Sequence, residues 1–200
     1  MKILLTGAEG FIGSHLVEKL VKKGHKVTAL VLYNSFNDIG NLNFVEKKTL
    51  NKIKIIFGDI RDSDFVQKYF KSQDVIINLA ALIGIPYSYI AANSYVDTNV
   101  KGLLNILDVV KKNKKCQLIQ VSSSEVYGTA KYVPMNEEHP LNAQSPYAAT
   151  KIAADQIALS FFRSFNCKIS IIRPFNTFGP RQSLRAIIPS LISQSLNALG

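Results

Sequence analysis

The apolar run Ile3-Leu4-Leu5 is followed at once by Thr6-Gly7-Ala8-Glu9-Gly10-Phe11-Ile12-Gly13, and then by apolar residues at helical spacing, Ile12, Leu16 and Leu20. A strand that ends in a tight glycine turn and restarts as a helix points its free N–H groups at a diphosphate. In this reading Gly7 permits the turn, Gly10 lets the backbone approach a pyrophosphate, and Gly13 lets helix and strand pack closely. Phe11 and Ile12 lie between the last two glycines and belong to the same cofactor-contacting turn. The spacing is GxxGxxG, one residue wider in its first gap than GxGxxG. A plain structural turn is the alternative, because any tight strand–helix turn favours glycine.

Further along, strand-like and helix-like segments alternate at the spacing of βαβ units. Strands are expected at 2–5, 27–32, 53–57, 75–79, 117–121 and 169–172. Helices are expected at 14–23, from a cap near Asp62 to Phe70, at 94–110 and at 146–165. Short, almost wholly apolar strands separated by helices imply a parallel sheet covered on both faces. The fold expected is α/β: a Rossmann-like, doubly wound parallel sheet with the beginning of a smaller C-terminal substrate-binding lobe. Residues 1–175 form the dinucleotide-binding domain and 176–200 the start of a truncated second domain. That last part is expected to carry a helix from Leu184 to Leu199, broken by Pro189, with its apolar face unpacked. On this reading the 200-residue chain alone turns over substrate poorly.

With 47 % hydrophobic content, the chain has enough apolar residues for a large core. The formal charge of +10 comes from lysines such as Lys22-Lys23 and Lys111-Lys112 at expected helix ends, where they suit the helix dipole. Such an excess also draws in an anionic substrate. No basic stripe interleaved with aromatics, zinc spacing or helix-turn-helix pattern points to nucleic acid. Cys116 and Cys167 lie far apart in apolar stretches and read as reduced core thiols. His15, His25 and His139 share no metal-ligand spacing, so no metal is expected. No membrane-spanning run or signal peptide is expected, and the compartment expected is the cytoplasm.

Candidate chemistry gathers after the fifth strand. Ser123, Ser124 and Glu125 follow the apolar run 118–121, and Tyr147 and Lys151 stand four apart on one helix face. A tyrosine is a poor base near neutrality because its ordinary pKa is about 10. A lysine ammonium on the same face favours the phenolate, and a bound oxidised nicotinamide adds positive charge. A serine hydroxyl could hold a substrate oxygen against the phenol. This trio suits removal of an alcohol proton while hydride leaves the same carbon. Glu125 could take a proton from a sugar carbon made acidic by a neighbouring ketone, or simply cap a turn. Asp59, followed by Ile60, ends the third strand, where a carboxylate could accept from an adenine amino group or cap a helix. Leu79, Ala80 and Ala81 end the fourth strand with side chains that let a cofactor ring pass. Asn99 is expected to tie down a neighbouring loop. Arg173, Asn176 and Arg181 surround the crossing into the second lobe, where donors could meet a diphosphate, and Asn176 and Arg181 are assigned with Ser124 to the substrate.

With those residues in place the chain resembles an extended short-chain dehydrogenase/reductase of the NAD-dependent epimerase/dehydratase group. The resemblance spans essentially the whole chain: TGAEGFIG at 6–13, GDIRD at 58–62, NLAA at 78–81, SSSEVYG at 122–128, YAATK at 147–151 and RPFNTFGPRQ at 173–182. It implies Ser123, Tyr147 and Lys151 as catalytic hydroxyl, base and supporting lysine. It also implies a homodimer built on the helices beginning near Ser94 and Pro146. Glu125 resembles the glutamate of 4,6-dehydratases and nucleotide-sugar decarboxylases, although dehydratases acting on dTDP-glucose carry Asp-Glu where this chain has Ser124-Glu125. The stretches 32–37, 81–89 and 182–189 resemble the N-acetylglucosamine 4,6-dehydratases of legionaminic acid synthesis, which feed surface-glycan assembly. The activity implied is a 4,6-dehydratase acting on UDP- or GDP-N-acetylglucosamine. The alternatives are a 4-epimerase, a UDP-glucuronate decarboxylase or a redox-inactive nucleotide-binding protein. The cofactor expected is NAD, because a dehydratase recycles its hydride. The second strand, however, runs into Leu32-Tyr33-Asn34-Ser35 with no acid before Asp38 and no cation for a 2′-phosphate.

Overall fold

A computed structural model describes residues 1–198. Six parallel strands, β1 (Lys2–Thr6), β2 (Lys26–Leu32), β3 (Lys54–Gly58), β4 (Val75–Asn78), β5 (Gln117–Val121) and β6 (Lys168–Ile172), lie in the order β3-β2-β1-β4-β5-β6. The order reverses between β1 and β4, which opens a crevice at the carboxyl ends of those two strands. The architecture is the expected doubly wound, Rossmann-like sheet.

Alternate residues of each strand feed two separate cores. Leu4, Leu30, Ile56, Ile76 and Leu118 pack with Val66 and Phe70 of α3 (Ser63–Phe70), Leu103, Ile106 and Leu107 of α6 (Gly102–Lys112), and Ala154 and Ala158 of α7 (Pro146–Phe165). Their neighbours Ile3, Leu5, Val27, Ala29 and Val31 pack with Val17 and Leu20 of α1 (Phe11–Lys22) and with Leu42 and Val45. Burial on both faces is why the strands read as unbroken apolar runs rather than alternating ones.

The helix starts follow local chemistry. Asp62 accepts from the Phe65 N–H and opens α3, while Ser145 accepts from the Ala148 N–H and opens α7 with Pro146 in its first turn. Helix α1 starts at Phe11 rather than 14, because Gly10 already holds the extended backbone of a cap. Short helices not anticipated from sequence are α2 (Lys47–Leu50) and α4 (Ile85–Ser88). The helix expected at 94–110 starts two residues earlier with α5 (Ala92–Tyr95) and passes through a π-helical turn, Val96–Lys101, into α6. Pro189 does not break the last helix, α8 (Ile187–Ala198). It sits in the first turn, where a missing N–H costs no intrahelical bond. Leu199, the expected end, lies outside the described residues. None of the described residues of α8 is buried. Among the described residues no helix is long and apolar enough to cross a membrane.

Candidate active site

A buried polar chain ties together the strand ends that floor the crevice. Thr6 Oγ1 donates to Asn78 Oδ1 (2.6 Å), and Asn78 Nδ2 donates to Gln120 Oε1 (2.8 Å), linking β1, β4 and β5. Thr6 Oγ1 also accepts from the N–H groups of Leu79 and Ala80, which sets the chain leaving β4 against the glycine turn. Gly7 holds φ +63°, and a Cβ there would meet Ala80 N at 3.0 Å. Gly13 has no room either, since a Cβ would stand 2.2 Å from Gly7 O. Gly10 differs. The one heavy atom near its added Cβ is Gly7 O at 3.2 Å, so nothing else in the protein crowds that position. Helix α1 has neither a side-chain cap nor an acidic residue in its first turn, unlike α3, whose cap is a carboxylate. An uncapped N-terminus behind a glycine that the protein itself does not crowd fits a phosphate group well.

Across the crevice, Ser123 follows β5 in extended conformation, and its Oγ accepts from the Glu125 N–H at 3.2 Å. Ser124 donates its N–H to Pro174 O (3.0 Å), and Glu125 is exposed on the following 3₁₀ turn. Solvent therefore meets the carboxylate that would be costly to bury at a central strand end. Tyr147 and Lys151, 6 % and 3 % exposed, lie one turn apart on the buried face of α7. Lys151 Nζ donates to Val121 O at 2.6 Å. Burial pushes the Tyr147 phenol above its ordinary range, a hydrogen bond with Ser123 draws it down, and the charge of Glu125 pushes it up again. Burial pulls the Lys151 ammonium down to about 8 against the opposing attraction of Asp155.

That shift predicts a pH effect on stability. Native Lys151 titrates near 8 and the unfolded side chain near 10.5. Between these values the unfolded chain holds the extra proton, so stability from this group rises with pH. The stability of the wild type minus that of Lys151→Met is expected to be level below the window and to increase through it. Urea melts across that range check this; a difference that stays level or falls there contradicts it.

Sequence reasoning missed the support behind the lysine. Asp155, fully buried and one turn beyond Lys151, binds Arg173 Nε through Oδ2 at 2.9 Å, and Arg173 Nη1 donates to the Tyr127 hydroxyl at 2.9 Å. Arg173 is therefore a brace for α7. Eighteen residues separate Asp155 from Arg173, so no local spacing announces the pair. Asn99 behaves as expected: its amide exchanges hydrogen bonds with both main-chain groups of Leu82 and donates to Thr150.

One assignment needs correction and two gain detail. The partly exposed Asp59 carboxylate accepts from the Arg61 main chain (2.8 Å) and twice from the Arg61 guanidinium (2.9 and 2.5 Å), contacts that hold it in place at the end of β3. The side chain of Ile60 is core, packed where a Cβ on Gly102 would strike it, which leaves its main chain alone to face a ligand. Arg181 does not turn to a diphosphate. Its guanidinium grips both carboxylate oxygens of Glu18 on α1 (3.1 and 3.0 Å) and donates to Phe44 O. A buried cation keeps a carboxylate partner in preference to none, so this arginine fastens the 173–182 segment across α1. Asn176 is exposed on that segment, and Leu79, Ala80 and Ala81 are half-buried at the end of β4.

Comparison with known proteins gives the class. A family model described as GDP-mannose 4,6 dehydratase matches residues 4–199. The dTDP-glucose 4,6-dehydratase of an Actinoplanes strain is 31 % identical over 204 residues, which cover 100 % of this chain and 64 % of that protein. The crystal structure of DesIV, a dTDP-glucose 4,6-dehydratase from Streptomyces venezuelae holding NAD, matches with TM-score 0.90 at 29 % identity, over 99 % of this chain and 63 % of that one. A UDP-glucuronic acid 4-epimerase from Bacillus cereus, in complex with UDP-glucuronic acid and NAD, matches with TM-score 0.87 at 30 % identity, over 98 % and 63 %. The chain thus spans somewhat under two thirds of these relatives. It belongs to the GDP-mannose 4,6 dehydratase family, within the NAD-dependent epimerase/dehydratase group of extended short-chain dehydrogenases/reductases.

Proposed function

We propose that the chain is the cofactor-binding and catalytic part of an NAD-dependent nucleotide-sugar 4,6-dehydratase acting on UDP- or GDP-N-acetylglucosamine. The observation that carries this is the exposed Glu125 carboxylate at the end of β5, beside the buried Tyr147–Lys151 pair. NAD binds at the turn of Gly7, Gly10, Phe11, Ile12 and Gly13, with Leu79, Ala80, Ala81 and the main chain of Ile60 along its path. When bound it supplies hydride transfer, away from sugar C4 and back to C6.

The remaining steps belong to the protein. Tyr147 takes the C4 hydroxyl proton, Lys151 stabilises the phenolate, and Ser123 holds the C4 oxygen. Glu125 takes the C5 proton once C4 is a ketone and gives it to the departing C6 hydroxyl, which leaves as water; C5 takes up a proton again as hydride returns to C6. Ser124 and Asn176 face the substrate. Residues 1–175 carry this machinery and 176–200 open the substrate-binding lobe, a division supported by the absence of burial along the described part of α8. Two copies pair through the α5–α6 and α7 helices, where Val96, Phe162 and Phe165 are exposed. The compartment is the cytoplasm.

Glu125→Gln tests the elimination step. It is expected to allow C4 oxidation yet lower formation of the 4-keto-6-deoxy product by about 10²-fold or more. Incubation with UDP- and GDP-N-acetylglucosamine followed by product mass decides the class. A product lighter by one water supports dehydration. One observation favours a second reading, 4-epimerisation: Ser124 stands where the dTDP-glucose dehydratases carry the acid that precedes the glutamate. A product of unchanged mass, with activity surviving Glu125→Gln, makes that reading the right one.

A further inference from the structure

We infer that Glu9, within the glycine turn, receives the hydroxyls of the adenosine ribose in place of an acid at the end of β2, and so makes the chain select NAD over NADP. The inference rests on the reading that a nicotinamide dinucleotide binds at that turn.

A doubly wound sheet lays the adenosine half of a dinucleotide beyond the strand next to β1, where an acid commonly meets the ribose and a basic residue a 2′-phosphate. Here β2 ends in Leu32 and is followed by Tyr33, both exposed and neither carrying a carboxylate. A cavity of about 320 Å³ lies there, lined by Glu9, Val31, Leu32, Asn34, Phe36, Asp38 and Gly40. No lysine or arginine is among those residues.

The lining offers three polar side chains; the amide of Asn34 is spent, and of the two carboxylates only Glu9 holds an oxygen buried without a partner. Asn34 donates to Leu32 O and Asp38 O and accepts from the N–H groups of Phe36 and Asp38, so its amide is spent on its own loop. Asp38 Oδ1 accepts from the Gly40 N–H and from Asn43 Nδ2, and the residue is exposed. Glu9 reaches β2 from the glycine turn instead. Its Oε1 accepts from the Leu32 N–H at 2.9 Å, while Oε2 is shut away from solvent with no partner at all. The main chain of Glu9 is fixed as well. Its carbonyl accepts from the Asn41 N–H at 2.9 Å, and Gly40 packs so closely that a Cβ there would meet the same oxygen at 2.9 Å.

A carboxylate oxygen buried without a partner, on a residue that lines a cavity, is expensive unless a donor reaches it. Ribose hydroxyls are such donors. Burial already pushes the Glu9 carboxyl above the usual carboxylate range, and hydroxyl donors would favour its charged form. A 2′-phosphate would set two negative groups together with no cation between them, which rejects NADP by repulsion rather than by shape.

Calorimetric titration of the protein with NAD and with NADP tests this, using the wild type, Glu9→Gln, Glu9→Ala and Asp38→Asn, with a thermal melt of each to establish folding. Glu9→Gln keeps the acceptor for the Leu32 N–H, so it isolates the charge. The wild type is expected to prefer NAD by about 100-fold or more, and both Glu9 variants to narrow that preference at least about tenfold, partly through a gain for NADP. Asp38→Asn is expected to leave the ratio unchanged. Folded Glu9 variants that bind NAD with the wild-type ratio overturn the inference, as does a shift that appears with Asp38→Asn instead. A wild type that binds neither dinucleotide overturns the underlying cofactor reading along with it.

Discussion

Tyr147→Phe is expected to lower turnover by about 10³-fold or more while leaving the fold and dinucleotide binding intact. The loss corresponds to about 4 kcal/mol of transition-state stabilisation. Tyr147 is nearly fully buried, and burial with the nearby Glu125 charge favours its protonated form in the resting protein. It can take a proton only when positive charge approaches, and Lys151, one turn away on the same face, is the built-in source. Phenylalanine keeps the ring and its edge-on contact with Tyr95 at 6.3 Å between centroids, so packing should hardly change. What disappears is the atom that can take the C4 proton. Pre-steady-state absorbance of the reduced nicotinamide, with a parallel NAD titration, separates the step from binding. Turnover within about tenfold of wild type would remove Tyr147 from the base role.

How much of this was readable in the chain depended on how local each interaction is. The sheet was legible because a strand buried on both faces must be apolar at every position, and Ile3, Leu4 and Leu5 serve both cores in turn. The glycine turn and the Tyr147–Lys151 face were legible because their geometry is fixed within one or two turns of chain. Long side chains were not. Arg181 was assigned to a ligand, yet it found a protein partner in Glu18 on α1, 163 residues away in the chain. The Thr6–Asn78–Gln120 chain left only a faint trace, one polar residue at the end of each apolar run, and its meaning depends on strand order. The π-helical turn at Val96–Lys101 changes hydrogen-bond spacing by a single residue and leaves no compositional mark. Glu9 read only as spacing between glycines, because its partner Leu32 lies 23 residues further on, at the end of β2.

Gly13→Ala is expected to destabilise the protein by about 3 kcal/mol or more, whereas Gly10→Ala should leave it folded and cost it the cofactor. Helix propensity alone argues the opposite for Gly13, since alanine inside a helix gains about 1 kcal/mol over glycine. Sterics reverse that sign. The added Cβ would stand 2.2 Å from Gly7 O and 2.8 Å from Ala8 Cα, both backbone atoms of the turn on which α1 rests. Neither can rotate away, and Gly7 cannot retreat because its own position is held close against Ala80. Helix α1 must therefore lift from the sheet, loosening Val17 and Leu20 from Ile3 and Leu5. A loss of that size in a chain this long lowers Tm by about 6–12 °C. At Gly10 the added methyl meets Gly7 O at 3.2 Å and otherwise open space, so stability should change little. The methyl instead stands where the diphosphate must approach α1, and NAD affinity is expected to fall at least about tenfold. Paired melts and NAD titrations of the two variants check both halves. Equal melting temperatures, or unaltered NAD binding by Gly10→Ala, would mean that the two glycines do not divide the work between packing and phosphate approach.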